Sequence, residues 1–287
     1  MAANPSYRNF TPEVYSDYIK MYFKQNLVAA NHFTDFSDDL AAGGDVLYIP
    51  AIGELSAPSS VTQSTGTLTD RYVADSRTKL SLSTWKAFSL RFTDFHLAVI
   101  ANKIKVQQAY AEAIARNLSK DFDTALLEEA RDNLVPRVGD SSSMSTTKCR
   151  DAMQIIDSYS VPREELIWIM GPKSYWDLLR RNAIYDASSF GNGNAPLATG
   201  KYGSLFGVPV VMTTQVPTQI LGIKETNFLV HKRAVCYAFA NIDGQSSGIT
   251  LKEVPGDGLY KRLVGEIAYG VEILDTTAGV KVYAMPK

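Results

Sequence analysis

The sequence predicts an α+β protein built from an extended β-hairpin, one long helix and a domain of alternating helices and strands. Three observations carry that expectation. The run from Lys79 to Phe92 alternates apolar and polar residues with a period of two. The stretch between Asp94 and Val135 contains neither glycine nor proline and is dense in alanine. Beyond Pro136, segments of helical periodicity alternate with short apolar runs.

In chain order, the first element is a helix. Thr11 fits an N-cap, Pro12 the first helical position and Glu13 the positive end of the helix dipole. The helix is expected to run to about Ala30, with Tyr15, Tyr18, Ile19, Tyr22 and Phe23 forming an aromatic stripe on one face. Such a stripe has to be covered by another surface.

Gly43-Gly44 ends this arm, and Asp45 to Leu55 reads as an extended segment, with Pro50 suited to a sheet edge. Ser56 to Thr67 holds no charged residue and has the composition of a loop tip. In the second extended run Leu80, Leu82, Phe88, Leu90 and Phe92 share one face, and Lys79, Ser81, Ser83, Ser89 and Arg91 the other. The two runs predict a long two-stranded ribbon, marginal in water unless its apolar face lies on something else.

A long helix, or two in tandem, follows. Ile100, Ile104, Ala111, Ile114, Leu118, Phe122 and Ala125 keep the helical period. After the Gly139 to Ser145 linker, Cys149, Ala152, Met153 and Ile156 stripe one helix, Leu166 to Met170 forms a buried strand, and Pro172 opens another helix. A glycine-rich loop (Gly191, Gly193, Gly200, Gly203) leads to a strand at Val208 to Met212. Phe228 to Val230, Ala234 to Ala240, Ile249 to Val254, Leu263 to Ala268, Val271 to Leu274 and Val280 to Ala284 read as strands.

Composition narrows the function. The chain has 287 residues, 45% of them hydrophobic, and 29 basic against 30 acidic side chains. A net charge of -1 lacks the basic surplus of a protein whose main task is gripping nucleic-acid phosphates. No apolar run approaches a membrane span, and the N-terminus has no signal-peptide pattern, so neither membrane insertion nor export by that route is expected. Two cysteines, Cys149 and Cys236, are too far apart for a CxxC motif and are expected to be buried free thiols.

Motifs for chemistry are sparse. Gly244-Gln245-Ser246-Ser247-Gly248 fits the G-x-S-x-G pattern of a hydrolase nucleophile, but an extended segment follows it and no histidine lies beyond His231. His32, His96 and His231 belong to no zinc pattern, and Pro196 stands where a dinucleotide loop started by Gly191 and Gly193 needs its third glycine. The acidic pairs Asp38-Asp39 and Glu128-Glu129 read as solvated faces. No catalytic residue, metal ligand or cofactor is expected.

Several segments together resemble the Hong Kong 97-type major capsid protein of tailed bacteriophages, over nearly the whole chain. GDVLYIPAIGEL (Gly44 to Leu55), an uncharged loop, TKLSLSTWKAFSLRFTD (Thr78 to Asp94) and the alanine-rich helix are similar to that family's extended loop and spine helix. WIMGPKSYWDLLR (Trp168 to Arg180), GSLFGVPVVMTTQVP (Gly203 to Pro217) and HKRAVCYA (His231 to Ala238) look like its axial domain, and YGVEILDTTAGVKVYA (Tyr269 to Ala284) like its closing peripheral strands.

The resemblance implies an N-terminal arm (1–42), an extended loop (43–93), a spine helix of the peripheral domain (94–135), an axial domain (136–245) and returning peripheral strands (246–287). It implies pentamers and hexamers of an icosahedral shell around double-stranded DNA contacted without sequence specificity, with scaffolding and portal partners, assembled in the host cytoplasm. Contacts between subunits are expected from Tyr15, Tyr18, Ile19, Tyr22 and Phe23 of the arm and from Tyr48, Ile49, Ile52, Leu80 and Leu82 of the loop.

Two departures from family patterns matter. No lysine stands in Ser56 to Thr67, so the lysine–asparagine cross-link of some relatives is not expected, and the short arm suggests an unprocessed subunit. The alternatives are an encapsulin-like compartment of the same fold holding enzyme cargo and, from another class, an α/β hydrolase using Ser246.

Overall fold

The computed structural model describes residues 23, 27–40, 44–52, 75–93, 103–139, 142–180, 203–219, 224–240, 249–255 and 260–285. Tyr15, Tyr18, Ile19, Tyr22, Ile100, His96, the loop tip, Gly191, Gly193, Gly200 and the Gly244 to Gly248 motif lie outside the described residues.

The elements are β1 (Thr34–Asp35), β2 (Val46–Ile52), β3 (Asp75–Ser81), β4 (Thr84–Thr93), α1 (Lys103–Asn133), β5 (Arg137–Val138), α2 (Thr146–Ser158), β6 (Leu166–Met170) and α3 (Pro172–Arg180). There follow β7 (Ser204–Leu205), β8 (Val208–Met212), β9 (Thr218–Gln219), β10 (Lys224–His231), β11 (Val235–Phe239), β12 (Ile249–Pro255), β13 (Tyr260–Ile273) and β14 (Gly279–Ala284).

Two sheets organise the chain. In the first, β13 is the spine: it pairs antiparallel with β4 on one edge and with β11 and β12 on the other, and β1 joins β11 in parallel. The second has the order β5-β14-β10-β6-β8-β7, with β9 beside β10. A small third sheet pairs β2 with β3.

The helix α1 carries 31 residues, about 46 Å at 1.5 Å per residue. From Ala111 onward its predicted stripe is buried: Ala111, Ile114, Leu118 and Phe122 lie in the core with Leu126, and Ala125 packs against it, while the Ile104 side chain lies outside the described residues. Phe122 sits in an aromatic cluster, its ring centroid 4.8 Å from Phe239, 4.9 Å from Tyr269 and 5.3 Å from Tyr237. The helix lies close on β13 because Gly265 has no Cβ to collide with Ile114.

Strand alternation lets the second sheet serve two cores. Ile167, Ile169, Phe228 and Val230 face the α1 side, while Trp168, Met170, Leu229, Val280 and Val282 face α2 and α3. The buried thiols of Cys149 and Cys236 are each pushed up to about 12 by loss of solvent, which leaves them protonated and inert.

Four expectations need correcting. The run from Lys79 to Phe92 is not one strand: Leu82 and Ser83 interrupt it, so β3 closes the hairpin with β2 while β4 joins β13 in the first sheet. The two-residue period runs through the break in the sequence, but the predicted shared face does not: Leu80 and Leu82 pack with Cys236 and Ala238, while Leu90 and Phe92 turn to the α1 side.

The arm helix does not reach Ala30. The N–H groups of Val28, Ala29 and Ala30 donate instead to the Asp123 carboxylate on α1, at 2.8, 3.3 and 3.1 Å. A buried carboxylate offering oxygens to a row of N–H groups outcompetes continued helix there.

The division at residue 245 does not match the strand pairing. β11, from the segment assigned to the axial part, lies in the first sheet, and β14, from the returning segment, pairs with β10 in the second. Each chain half lends a strand to the other sheet.

Finally, two expected contact residues serve the subunit itself. Phe23 is 1% exposed and packs edge-on to Phe239 at 5.7 Å; Leu80 is fully buried with Leu40, Cys236 and Ala238. Both are spent on internal packing and are unavailable to a neighbour.

Candidate functional site

The site follows from the two faces of the first sheet. Along β13 the odd-numbered residues Gly265, Ile267 and Tyr269 meet α1. Tyr260, Arg262, Val264, Glu266 and Ala268 therefore point to the opposite face, joined by Trp85, Ala87, Ser89 and Arg91 of β4 and by Thr250, Lys252 and Val254 of β12.

The hairpin base covers one end of this outer face. Leu80 packs on Cys236 and Ala238, with Leu47, Ile49, Leu82 and Leu274 around them. Gly270 makes the crossing possible, because a Cβ there would strike the Ser81 carbonyl. The apolar face of the ribbon is thus supported, at its base, by its own subunit.

Nothing described covers the other end. Trp85 is 72% exposed and Val254 41%. Lys252 and Thr250 bond the Glu266 carboxylate at 2.8 and 3.0 Å, and Trp85 also hydrogen-bonds it. Burial alone would raise the Glu266 pKa, but these donors hold it below the usual carboxylate range.

At the far tip lies a stacked cation pair. Arg91 and Arg262 are directly opposite in the register, and both lean on Tyr260, with guanidinium carbons 3.8 and 5.4 Å from its ring centroid. Arg262 also donates to the Tyr260 hydroxyl at 3.1 Å.

Of the expected loop contacts, Tyr48 is exposed, with the Arg77 guanidinium 4.6 Å over its ring. Ile49, on the opposite face of β2, and Leu82 are half-buried against the hairpin cluster; the Ile52 side chain lies outside the described residues. Trp85, Arg91, Val254, Tyr260 and Arg262 were not foreseen as a site. A tryptophan on the polar face of an alternating strand was the available signal, since Trp85 falls with Ser83 and Ser89 rather than with Phe88 and Leu90.

Among the described residues, no three His, Cys, Asp or Glu side chains gather as a metal site requires, and no helix is long and apolar enough to cross a membrane. The segment after Gly248 is strand β12, so the G-x-S-x-G match lacks the helix a nucleophile elbow needs.

No family model matches the sequence, and neither does any curated protein. Solved structures do match. A chain of Mycobacterium phage Che8 superposes with a TM-score of 0.74 at 17% identity, covering 89% of this chain and 90% of its own. The capsid structure of cyanophage P-SCSP1u gives 0.68 at 17% identity, covering 89% and 87%.

The chain has the Hong Kong 97-type capsid fold. The virus-like particle from Pyrococcus furiosus is similar as well, with a TM-score of 0.57 at 14% identity over 94% and 98% of the two chains. The unsupported surface of this chain is the outer face of its first sheet.

Proposed function

We propose that the chain is the major subunit of an icosahedral shell that encloses the double-stranded DNA of a tailed phage. One observation carries the reading: a capsid fold matched over 89% of the chain leaves part of the outer face of its first sheet, the peripheral sheet in this reading, bare among the described residues, with a tryptophan on it. A sheet face with Trp85 and Val254 in water is a surface awaiting a partner. In a shell each subunit makes several contacts, each on the order of 800 Å² per partner, and closed symmetry makes them act together.

The scaffolding and portal partners, the DNA contacted through its backbone, and contacts from arm residues 1–22 and from Tyr48 belong to the same proposal. The net charge of -1 suits a container that must release its contents, since a strongly basic wall would hold phosphate.

Negative-stain microscopy and sedimentation of the purified chain test it. Uniform shells or ring-shaped capsomers are the expected result, and a chain that stays single at high concentration would overturn it. Particles from infected cells that carry enzyme cargo instead of DNA would favour the encapsulin-like alternative.

A further inference from the structure

The outer face of the peripheral sheet is electrically polarised, and among the described residues neither pole is matched by a counter-charge. At one end Arg91 and Arg262 face each other across the β4–β13 pair. Like charges directly opposite on a sheet repel, so this placement costs stability within the subunit. Tyr260 reduces the cost, with the Arg91 guanidinium over its ring and Arg262 donating to its hydroxyl, and holds both cations at one end of the face. Both arginines are exposed, and among the described residues neither has a carboxylate partner.

At the other end, beside the hairpin base, stand Asp38 and Asp39, with Asp45 close by. Leu40 anchors the first pair in the hairpin cluster, and the Asp45 carbonyl accepts the Leu82 N–H at 2.8 Å. All three aspartates are exposed, and none has an ion-pair partner among the described residues.

The two poles cannot meet within one subunit. Phe36 and Ser37 tie the acidic turn to Tyr237 and Phe239 of β11, which pair with Val271 and Tyr269. From there to Arg262 is roughly 25 Å along β13 at about 3.3 Å per residue.

We infer that Arg91 and Arg262 of one subunit dock on the Asp38-Asp39 turn of a second copy, in a head-to-tail contact along the bare sheet face. The inference rests on the shell reading and supplies one of its interfaces. A contact between two different patches of the same chain can repeat around a ring, as a capsomer or closed shell requires. The occupant is chosen by charge: the chain is nearly neutral overall, so a cationic patch of one copy is matched by an anionic patch of the next. Two guanidiniums side by side fit two adjacent carboxylates. Asp45 and Val254 flank the two halves of the contact.

The test is charge exchange in the full chain. Arg91→Glu with Arg262→Glu is expected to slow assembly by on the order of tenfold at low salt. Asp38→Arg with Asp39→Arg should do the same, and the chain carrying all four changes should recover most of the parent rate. Circular dichroism of each variant monitors folding, and Arg91→Lys with Arg262→Lys, which keeps the charge, should assemble nearly as the parent does.

Reversed variants that assemble like the parent would overturn the contact, as would a fourfold variant no better than either half. Arginine-reversed shells that form at the parent rate but fail to retain DNA would also overturn it, assigning the pair to phosphate instead. A parent chain that never assembles removes the shell reading itself, so the two failures are distinguishable.

Discussion

The two faces of the first sheet are made from the same strands yet have opposite fates. On the α1 side, Phe122, Tyr237, Phe239, Tyr269 and Ile267 form a continuous aromatic and aliphatic core. On the outer side the hairpin base covers one end and leaves Trp85, Val254 and the arginine pair in water. Strand alternation alone does not decide which face is buried: β4 exposes residues of both parities, Trp85 on one face and Phe88 on the other. What decides is whether an element of the same chain lies opposite. The covered face therefore makes the fold, and the bare face is the one the proposed shell would use.

The largest effect should come from breaking the covered face at its centre. Phe122→Ala removes a fully buried ring that touches three other aromatic rings within 5.3 Å. Large-to-small changes of this kind cost roughly 3–5 kcal/mol, lost transfer energy plus the cavity. Urea unfolding of dissociated subunits measures it, and a loss below about 1 kcal/mol would mean that α1 does not rest on the sheet as described.

Asp123 tests how the same helix secures the end of the arm. Its oxygens accept the N–H groups of Val28, Ala29 and Ala30 where helix would otherwise continue. Asp123→Asn keeps the shape but turns an NH₂ toward those donors, and is expected to cost about 2–3 kcal/mol. Burial raises the Asp123 pKa, and the three backbone donors offset that only in part.

The sign for pH follows from this direction. A carboxyl raised on folding favours the folded state when protonated, so its contribution is complete below the unfolded value near about 3.9 and is lost as pH rises through the folded one. Asparagine does not titrate. The stability gap between parent and variant should therefore be widest in acid and narrow toward neutral pH, as paired urea melts across that range would register. A gap that widens toward neutral pH would mean that the backbone donors, not burial, dominate.

Much of this architecture was legible because it rests on local pattern. The α1 stripe, the buried strand Leu166 to Met170 and the proline-started α3 needed only periodicity and capping rules, and each is present. The break at Leu82 and Ser83 was hidden because the two-residue period continues through it, so only the partner strand reveals the change of sheet. Strand exchange between the sheets was hidden for a related reason: β11 and β14 are apolar whichever sheet receives them.

Apolar character told that the hairpin needs a covering surface, but not whose. For Leu80 and Phe23 the answer is the chain's own core. Trp85 was overlooked because it interrupts a polar face, although that placement is what distinguishes a surface built for a partner from one built for a core.

The smallest expected effect on the subunit is accordingly the most telling for assembly. Trp85 is 72% exposed, so Trp85→Ser removes little buried area, and the Glu266 carboxylate that it hydrogen-bonds keeps Lys252 and Thr250. Surface changes of this sort shift folding stability by no more than about 0.5 kcal/mol. In the proposed shell the same ring would lie at a contact repeated in every subunit, and tryptophans at the centre of such contacts cost about 2 kcal/mol or more when truncated. That corresponds to roughly a thirtyfold weaker contact, since each 1.4 kcal/mol is about tenfold. Parallel measurement of urea unfolding and of the lowest concentration that yields particles separates the two terms. A variant that melts like the parent but assembles only at much higher concentration places Trp85 in an interface, while one that loses stability and assembly in proportion makes the outer face part of the fold after all.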